Sequence, residues 1–281
     1  MKQITHLLLL LGCCLLMLNQ ALAQLEIRLS TERKEFLIGE NVPITFTIIN
    51  HTDRTLDFKN VPGNPWLRFR VTSSASPFPI SPKALAKFPR LTIGPGQQQS
   101  YKLDLKSSYD FNADGSYRVV AIVQMPGGKE AFASSPARFS MSSGATIKTF
   151  NIQSKGRPLQ IHVKQLQADG RNCLFGQVAG YNSRTPIGAC YLGKYLHFME
   201  PRIYLDASQN LHVLCQSSPE IFTYSVMNNQ GKRVSIQLLQ RAGGPINLMR
   251  TGGKIIPIGL RPYVKPSPQE EGVHNASEVP F

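Results

Sequence analysis

The sequence predicts an all-β protein with two domains in tandem. Apolar and polar residues alternate in short runs, starting with the stretch Leu25 to Phe58, as they do in strands with one buried face. No stretch of adequate length shows the 3.6-residue periodicity of an amphipathic helix. The alternation pauses at the small residues Gly144 to Thr146 and restarts at Ile147, which predicts a domain boundary. A chain of 281 residues with 42% hydrophobic residues can build two cores of ordinary size.

Residues 24–144 are predicted to form a β-sandwich. A Gly-Glu turn at Gly39 and Glu40 separates the first strand-like runs. Asp114-Gly115 reads as a hairpin turn that opens a long aromatic and β-branched strand to Val123. The segment from Ser73 to Pro89 contains four prolines and is predicted to be a long surface loop. The remaining predicted strands include Trp66 to Val71, Leu91 to Ile93, Ser100 to Leu105 and Ala137 to Met141.

The turn and core residues of this first domain resemble a known family. Gly39-Glu40, Asn50 and Gly115-x-Tyr117-Arg118 occur in the order found in bacterial immunoglobulin-like domains typified by the intracellular proteinase inhibitor family. The resemblance covers roughly residues 25–141 and implies an immunoglobulin-like β-sandwich. No reactive loop can be matched, so the resemblance implies a fold and no inhibitory activity.

Residues 145–264 are predicted to form a second all-β domain. Its strand-like runs include Tyr195 to Phe198. A shift of 44 positions superposes Pro201 to Leu214 on Pro245 to Ile258, each copy being a proline followed by two strands and a turn. This spacing resembles a β-propeller blade, but two copies are too few to close a ring. The sequence therefore leaves two architectures open, an open propeller-like sheet and a second sandwich.

The N-terminus has the pattern of an export signal. Lys2, the apolar run Leu7 to Leu18 and the sequence Ala21-Leu22-Ala23 predict a signal peptide over residues 1–23, so the mature chain starts at Gln24. Lipoprotein processing at Cys13 is the alternative. No other run is long enough for a transmembrane helix, so we expect no transmembrane segment in the mature chain. The predicted destination is the periplasm, the cell surface or the extracellular space.

The positive charge is concentrated in the second domain. Basic residues outnumber acidic ones by 15 to 10 in residues 24–144 and by 15 to 4 in residues 145–265, within a total of +14. The C-terminal tail, residues 265–281, is predicted to be disordered, and after Lys265 its only charged residues are three glutamates. An exported basic domain is suited to an anionic partner, although a soluble basic protein without such a ligand stays open. The candidate anionic-ligand patch comprises Arg171, Arg184, Lys194 and Arg202.

Three cysteines remain after removal of the signal peptide. In an oxidising compartment Cys173 and Cys190 are the candidate disulfide, with Cys215 left as a buried thiol in an apolar strand. The alternative is three unpaired buried cysteines that pack as small hydrophobic residues.

Motifs for catalysis and cofactor binding are missing from the sequence. There is no nucleophile elbow, phosphate-binding loop, dinucleotide fingerprint or His-Glu-x-x-His, and no nucleic-acid motif accompanies the basic residues. His162, His197 and His212 are predicted to be hydrogen-bonded residues of strands and to bind no metal.

We therefore predict an exported, non-enzymatic binding or scaffolding protein without cofactor or metal. Its expected partner is a protein or an anionic cell-surface polymer, with no specific nucleic acid, and its oligomeric state is open. The alternative is a hydrolase or lyase that acts on an anionic surface polysaccharide, with Glu200, Asp206, His197 and His212 as candidate residues.

Overall fold

The computed structural model describes residues 25–83, 88–128, 130–183 and 185–265. The predicted signal peptide, the tail from residue 266 and Arg184 of the candidate patch lie outside the described residues. The prediction of an all-β protein is confirmed, since the one helical element in the described ranges is a 3₁₀ turn at Leu105–Ser107. Within those ranges, no helix has the length and apolarity needed to cross a membrane.

The chain divides into two compact units, residues 1–144 (unit 1) and residues 145–281 (unit 2). Unit 1 has eleven strands in its described part. They are β1 (Leu25–Thr31), β2 (Glu35–Leu37), β3 (Pro43–Asn50), β4 (Leu56–Phe58), β5 (Leu67–Ser73), β6 (Ser76–Ile80), β7 (Leu91–Ile93), β8 (Gln98–Asp104), β9 (Gly115–Gln124), β10 (Ala131–Ala133) and β11 (Ala137–Ser142).

Unit 1 is built from two principal sheets. One has the strand order β1-β3-β8, and the other has the order β2-β11-β9-β5-β6 with β10 paired to β9. All these pairings are antiparallel except β2 with β11, which is parallel. A small ladder of β4 and β7 completes the unit.

The two principal sheets of unit 1 share their core. Ile27 and Phe46 of the first sheet belong to one buried cluster with Leu67 and Val123 of the second sheet. Trp66, immediately before β5, is buried in this cluster. A second buried cluster surrounds Phe139. The period-2 alternation of these strands therefore places one face of each sheet against the other.

The segment predicted as a long loop from Ser73 to Pro89 is partly a strand. β6 forms there and pairs with β5 at the end of its sheet. Prolines are compatible with an edge strand, because an edge strand needs hydrogen bonds on one side only. The proline content therefore misled the prediction.

Unit 2 also consists of strands, eleven in its described part. They are β12 (Ala145–Ser154), β13 (Arg157–Ala168), β14 (Arg171–Gly180), β15 (Pro186–Lys194), β16 (Arg202–Leu205), β17 (Leu211–Gln216), β18 (Ile221–Met227), β19 (Arg233–Arg241), β20 (Asn247–Thr251), β21 (Lys254–Ile258) and β22 (Leu260–Pro262).

Unit 2 contains two larger antiparallel sheets and a hairpin. The first sheet has the order β12-β13-β14-β15, the second has the order β16-β17-β18-β19-β22, and β20 and β21 form the hairpin. Ile161 and Leu174 of the first sheet share a buried cluster with Val213 and Met227 of the second. A further cluster packs Leu248 and Ile255 of the hairpin against the opposite face of the second sheet. The second sheet is thus covered on both faces.

The prediction of one strand of unit 2 is wrong. Tyr195 to Phe198 is a connection, and the strand lies before it as β15. The sequence of β15, Pro-Ile-Gly-Ala-Cys-Tyr-Leu-Gly-Lys, has small residues where an alternating pattern would have large ones. Gly188 and Gly193 are required there because a Cβ at either would meet a neighbouring strand or loop.

The internal repeat corresponds to two hairpins. Pro201 to Leu214 contains the β16–β17 hairpin and Pro245 to Ile258 contains the β20–β21 hairpin. The first hairpin belongs to the five-stranded sheet, whereas the second stands as its own two-stranded sheet. The repeat therefore marks a local motif that is used in two different packing environments.

Candidate functional site

A cavity of about 640 Å³ in unit 2 is the candidate functional site. Three segments of the chain line it: the turn between β12 and β13, the first residues of β15, and the loop between β18 and β19. Leu159 and Ile187 give it apolar surface. The polar lining residues are Ser154, Lys155, Arg157, Asn229, Gln230 and Lys232.

The β12–β13 turn positions two of the cations. Ser154 pairs with Arg157 across the hairpin, and Lys155 and Gly156 between them both have positive φ, at 52° and 73°. Two successive residues with positive φ form the turn that matches the twist of a two-residue hairpin. Lys155 adopts this conformation without being a glycine, which is uncommon for an ordinary side chain. The tight turn holds Lys155 and Arg157 at the end of the sheet.

The β18–β19 loop is ordered by one side chain. The Oδ1 atom of Asn228 accepts hydrogen bonds from the backbone N–H groups of Gln230 and Lys232, each at 3.0 Å. The N–H of Asn228 donates to the carbonyl of Lys232, and that of Gly231 donates to the carbonyl of Asn228. These bonds satisfy the loop backbone internally, so the side chains of Gln230 and Lys232 project from a fixed loop.

A glycine contact joins β15 to this loop. A Cβ at Gly188 would lie 2.4 Å from the carbonyl oxygen of Gln230, and a Cβ at Gly231 would lie 2.5 Å from the carbonyl group of Gly188. Gly231 also has a φ of 76°. The two backbones can approach this closely only because neither residue has a side chain. The contact brings the loop beside Ile187 and so forms one wall of the cavity.

The cavity is positively charged and has no carboxylate in its lining. Lys155, Arg157 and Lys232 are exposed, and none of the three forms an ion pair or a side-chain hydrogen bond within the described part of the chain. Asn229 and Gln230 add amide donors. Three uncompensated cations beside neutral donors attract an anionic group, and no aromatic side chain lines the cavity to stack on a base.

The structure divides the predicted basic patch. Arg171 and Lys194 lie at the opposite end of the four-stranded sheet from the cavity, where Lys194 pairs with Cys173. Arg202 is on β16 in the five-stranded sheet, and its Nε atom is buried without a hydrogen bond among the described residues. Arg171 and Lys194 thus lie at the same end of one sheet, two register positions apart. Arg202 lies on another sheet, and Arg184 is outside the described residues.

The strand register does not permit the predicted disulfide between Cys173 and Cys190. Cys173 is opposite Lys194, whereas Cys190 is opposite Gly176. The two cysteines are therefore offset by three positions, roughly 10 Å along the strands, and a disulfide needs Cα atoms within about 7 Å. Cys215 is buried in β17, and burial, with a smaller contribution from Cys173, raises the pKa of its thiol to about 12.

The three histidines of unit 2 occupy separate places. His162 is 3.0 Å from the hydroxyl of Thr149, and His197 is 3.2 Å from the amide of Gln165. Burial, followed by the charge of Lys164, lowers the pKa of His162. No group of three or more potential metal ligands occurs among the described residues.

His212 belongs to a buried chain of hydrogen bonds. Its Nε2 is 3.1 Å from Oδ2 of Asp206, and its Nδ1 is 2.7 Å from the hydroxyl of Tyr224. That hydroxyl donates to the carbonyl of Ile255 in the β20–β21 hairpin at 2.9 Å. Burial acts to raise the pKa of Asp206, but hydrogen bonds from Asn210 and His212 outweigh it and leave this pKa below its usual value. These hydrogen bonds link the β20–β21 hairpin to the five-stranded sheet, and they pair the buried polar atoms with one another.

The cavity was not predicted from the sequence. Its cations are separated by up to 77 positions in the chain and belong to no motif, as the positions of Lys155 and Lys232 show. The sequence signals that were present are the Lys155-Gly156 hairpin turn and the Asn228-to-Gly231 loop, both of which are typical turn sequences. Neither signal reveals that Gly188 and Gly231 meet.

Comparison with known proteins gives no family for this chain. No family model matches it, and no curated protein matches it. Among solved structures, the crystal structure of the YadV chaperone matches at 10% sequence identity with a TM-score of 0.24, covering 76% of this chain and 100% of that chain. A likeness at this TM-score supports no inference about fold or function.

Proposed function

We propose that this chain is an exported, non-enzymatic binding protein whose unit 2 binds an anionic polymer through the basic cavity, with unit 1 as an immunoglobulin-like scaffold. The observation that supports this most directly is the cluster of Lys155, Arg157 and Lys232 around a cavity without a lining carboxylate. Export to the periplasm, the cell surface or the exterior rests on the signal-peptide pattern of residues 1–23.

The immunoglobulin-like assignment of unit 1 is supported by its strand order. Two facing antiparallel sheets, with β2 added in parallel to the last strand, correspond to the arrangement of immunoglobulin-like sandwiches. The hydroxyl of Tyr117 donates to the carbonyl of Ala113 four residues upstream at 2.9 Å, as in the tyrosine corner of that fold. Trp66 is buried immediately before the inner strand β5, and a buried tryptophan is another feature of such domains.

Between the two architectures predicted for unit 2, the shared core favours a second sandwich. The four-stranded and five-stranded sheets contribute to one buried cluster, as two facing layers do. The cavity lies where turns and loops of both layers meet, at the ends of strands. Loops held by a rigid β scaffold are a common location for binding residues.

The chemistry of the cavity favours a phosphate, sulfate or carboxylate group repeated along a polymer. Each exposed cation contributes little by itself, because solvent screens it. A polymer that engages several cations at once releases several counterions and gains affinity with each one, and this affinity falls as salt rises. The absence of aromatic lining residues favours charge recognition over base recognition.

The test is binding of the mature chain to immobilised polyphosphate and heparin over a range of salt concentrations. We expect the triple variant K155Q/R157Q/K232Q to bind about tenfold more weakly or worse and to show a shallower dependence of log affinity on log salt. Both effects follow from the loss of three contacts to the polyanion.

The matched control is the triple variant R171Q/K194Q/K254Q. It removes the same formal charge from exposed positions of unit 2 and includes two residues of the patch predicted from sequence. We expect it to bind nearly as well as the parent. Equal weakening by the two triple variants would mean that net charge alone drives binding, and would overturn the assignment of the cavity.

A further inference from the structure

The outer edge of β19 is only partly paired. β18 pairs with one side of β19 from Arg233 to Gln240. On the other side, β22 pairs only with Leu239, Gln240 and Arg241, and the N–H of Tyr263 donates to the carbonyl of Leu238 at 3.0 Å. The first half of β19 therefore has an open edge in the described chain.

The backbone of Ile236 faces this open edge. In an antiparallel strand, residues two apart point their N–H and C=O groups to the same side. Because the carbonyl of Leu238 points to the β22 side, the backbone groups of Ile236 do so too, and no described residue pairs with them. An edge of this kind is a template for one more strand.

Three apolar side chains of this part of β19, those of Val234, Ile236 and Leu238, are exposed on one face of the sheet. The exposed fractions are 63% for Val234, 40% for Ile236 and 49% for Leu238. Sheets usually protect their edges with charges, prolines or bulges. β6 carries Pro77 and Pro79, and β12 carries Lys148 beside a bulge. Residues 234–238 include no charge and no proline, and a bulge occurs only at their start, at Val234. An added strand would cover these apolar groups.

Cations stand at both ends of the open edge. Lys232 and Arg233 lie at its start, and Arg241 and Arg261 lie beyond its end. Of these, Arg241 alone is near a described carboxylate, that of Glu220 at 3.9 Å. Acidic residues on an added strand would complement these cations.

We propose that the open edge of β19, residues 233–238, is a strand-addition site for an extended acidic segment of a partner protein in which apolar and acidic residues alternate. Backbone hydrogen bonds to Ile236 provide affinity. Apolar side chains on one face of the added strand pack beside Val234, Ile236 and Leu238, and the flanking cations select acidic residues. A second copy of this chain fits less well, because pairing two β19 edges would place like charges against each other. This inference goes beyond polymer binding and uses a surface that shares only Lys232 with the cavity.

The test uses a capped synthetic peptide of about eight residues, a typical paired length, in which Val and Ile alternate with Glu. Its binding to the mature chain is measured by fluorescence anisotropy, and amide hydrogen exchange locates it. We expect slower exchange of the Ile236 amide on binding.

The variant Ile236→Pro removes the outward N–H without removing a hydrogen bond to β18, and we expect it to bind the peptide at least tenfold more weakly. Ile256→Thr, at another residue with an exposed fraction of 40%, should bind as the parent does.

Three outcomes would overturn the proposal. One is a peptide with Lys in place of Glu that binds equally well, and another is binding that leaves exchange in β19 unchanged. The third is an Ile236 amide that is already protected without peptide, because the edge would then be covered. The variant K155Q/R157Q removes two cations of the cavity and keeps Lys232. Peptide binding equal to that of the parent would show that the strand-addition site works independently of the cavity, whatever the result of the polymer-binding test.

Discussion

The two units use their charges differently. In the described part of unit 1, six contacts with Lys or Arg and one with His51 engage the carboxylates of Glu26, Glu32, Glu40, Asp57 and Asp110. In that of unit 2, Arg241 is 3.9 Å from Glu220, and the imidazole of His212 is 3.1 Å from Asp206. Carboxylates of unit 1 therefore contact several of its cations. In unit 2, few such contacts occur among the described residues.

One cavity of unit 1 differs in charge from the unit 2 cavity, whereas another, of about 630 Å³, is also lined by cations without a carboxylate, namely Lys34, Arg118 and Arg138. Unit 1 holds a cavity of about 550 Å³ lined mainly by apolar residues such as Leu67, Phe69 and Leu105, with Arg68 and Asp104 of opposite charge. The unit 2 cavity is lined by cations alone among charged residues. A cation-lined cavity therefore occurs in both units, and the difference between the units lies in how many of their carboxylates are in contact with a cation.

The largest expected effect is confined to the core of unit 1. Phe139 packs against Phe36, Phe111 and Tyr117, with ring centroids 5.4 to 5.7 Å apart. We expect Phe139→Ala to lower the free energy of unfolding by about 3–5 kcal/mol in urea titrations, because it leaves a cavity in a closely packed cluster. Polyphosphate binding should be unchanged in the folded variant. Phe78→Ala, at an exposed position, is the control; loss of binding with Phe139→Ala would break the comparison between the units.

A smaller effect is expected at the glycine contact of unit 2. Gly188→Ala places a methyl group 2.4 Å from the carbonyl oxygen of Gln230, so β15 or the loop must move. We expect a loss of about 1–3 kcal/mol in stability together with weaker polyphosphate binding. Gly180→Ala, whose new methyl would lie 3.2 Å from Ser183 Cβ, is the milder control. Unchanged binding by a destabilised Gly188→Ala variant would show that this wall is not part of the site.

Asp206 should give unit 2 a pH dependence. Because its pKa is lower in the folded chain than its usual value, its carboxylate stabilises the fold above that usual value, and this stability is lost as the pH falls through the folded pKa. Asp206→Asn should lose on the order of 1–3 kcal/mol at neutral pH, as expected for hydrogen bonds to a charged group, and should show a flatter profile below about pH 4. Urea unfolding as a function of pH measures both effects, with Glu200→Gln as the neutral-pH control. An unaltered profile would refute the role of the Asp206–His212 contact.

The smallest effect is expected from an exposed ion pair of unit 1. Asp57 accepts two hydrogen bonds from Arg90 and is near Lys59, all on the surface. We expect Asp57→Asn to unfold at the same urea concentration as the parent at physiological salt, because solvent screens the pair. A clear decrease in the transition midpoint would mean that these surface pairs stabilise unit 1 more than their exposure suggests.

The strands were predictable from sequence where each had one buried face. β9 was predicted from Gly115 to Val123 because its apolar residues alternate without interruption, and it extends to Gln124. β15 was missed because its glycines serve close contacts with neighbouring segments rather than a local pattern. β6 was missed because an edge position tolerates prolines.

The candidate site was less predictable than the strands. Arg171 and Lys194 were predicted to belong to a patch because they lie in the basic half of the sequence. Lys155, Arg157 and Lys232 instead line one cavity, of which the contact between Gly188 and Gly231 forms a wall. A contact between two glycines distant in sequence leaves no periodic signal and no charge run. Only the three-dimensional arrangement of the two loops reveals it.

The parallel ladder between β2 and β11 has a consequence for biosynthesis. Phe36 is opposite Met141, and the N–H of Ile38 donates to the carbonyl of Ser142, so the start of unit 1 is paired with its end. A ribosome makes the first of these partners about a hundred residues, or several seconds, before the second. Until then β2 has no partner on that side. Unit 1 therefore cannot complete this sheet until β11 has left the ribosome.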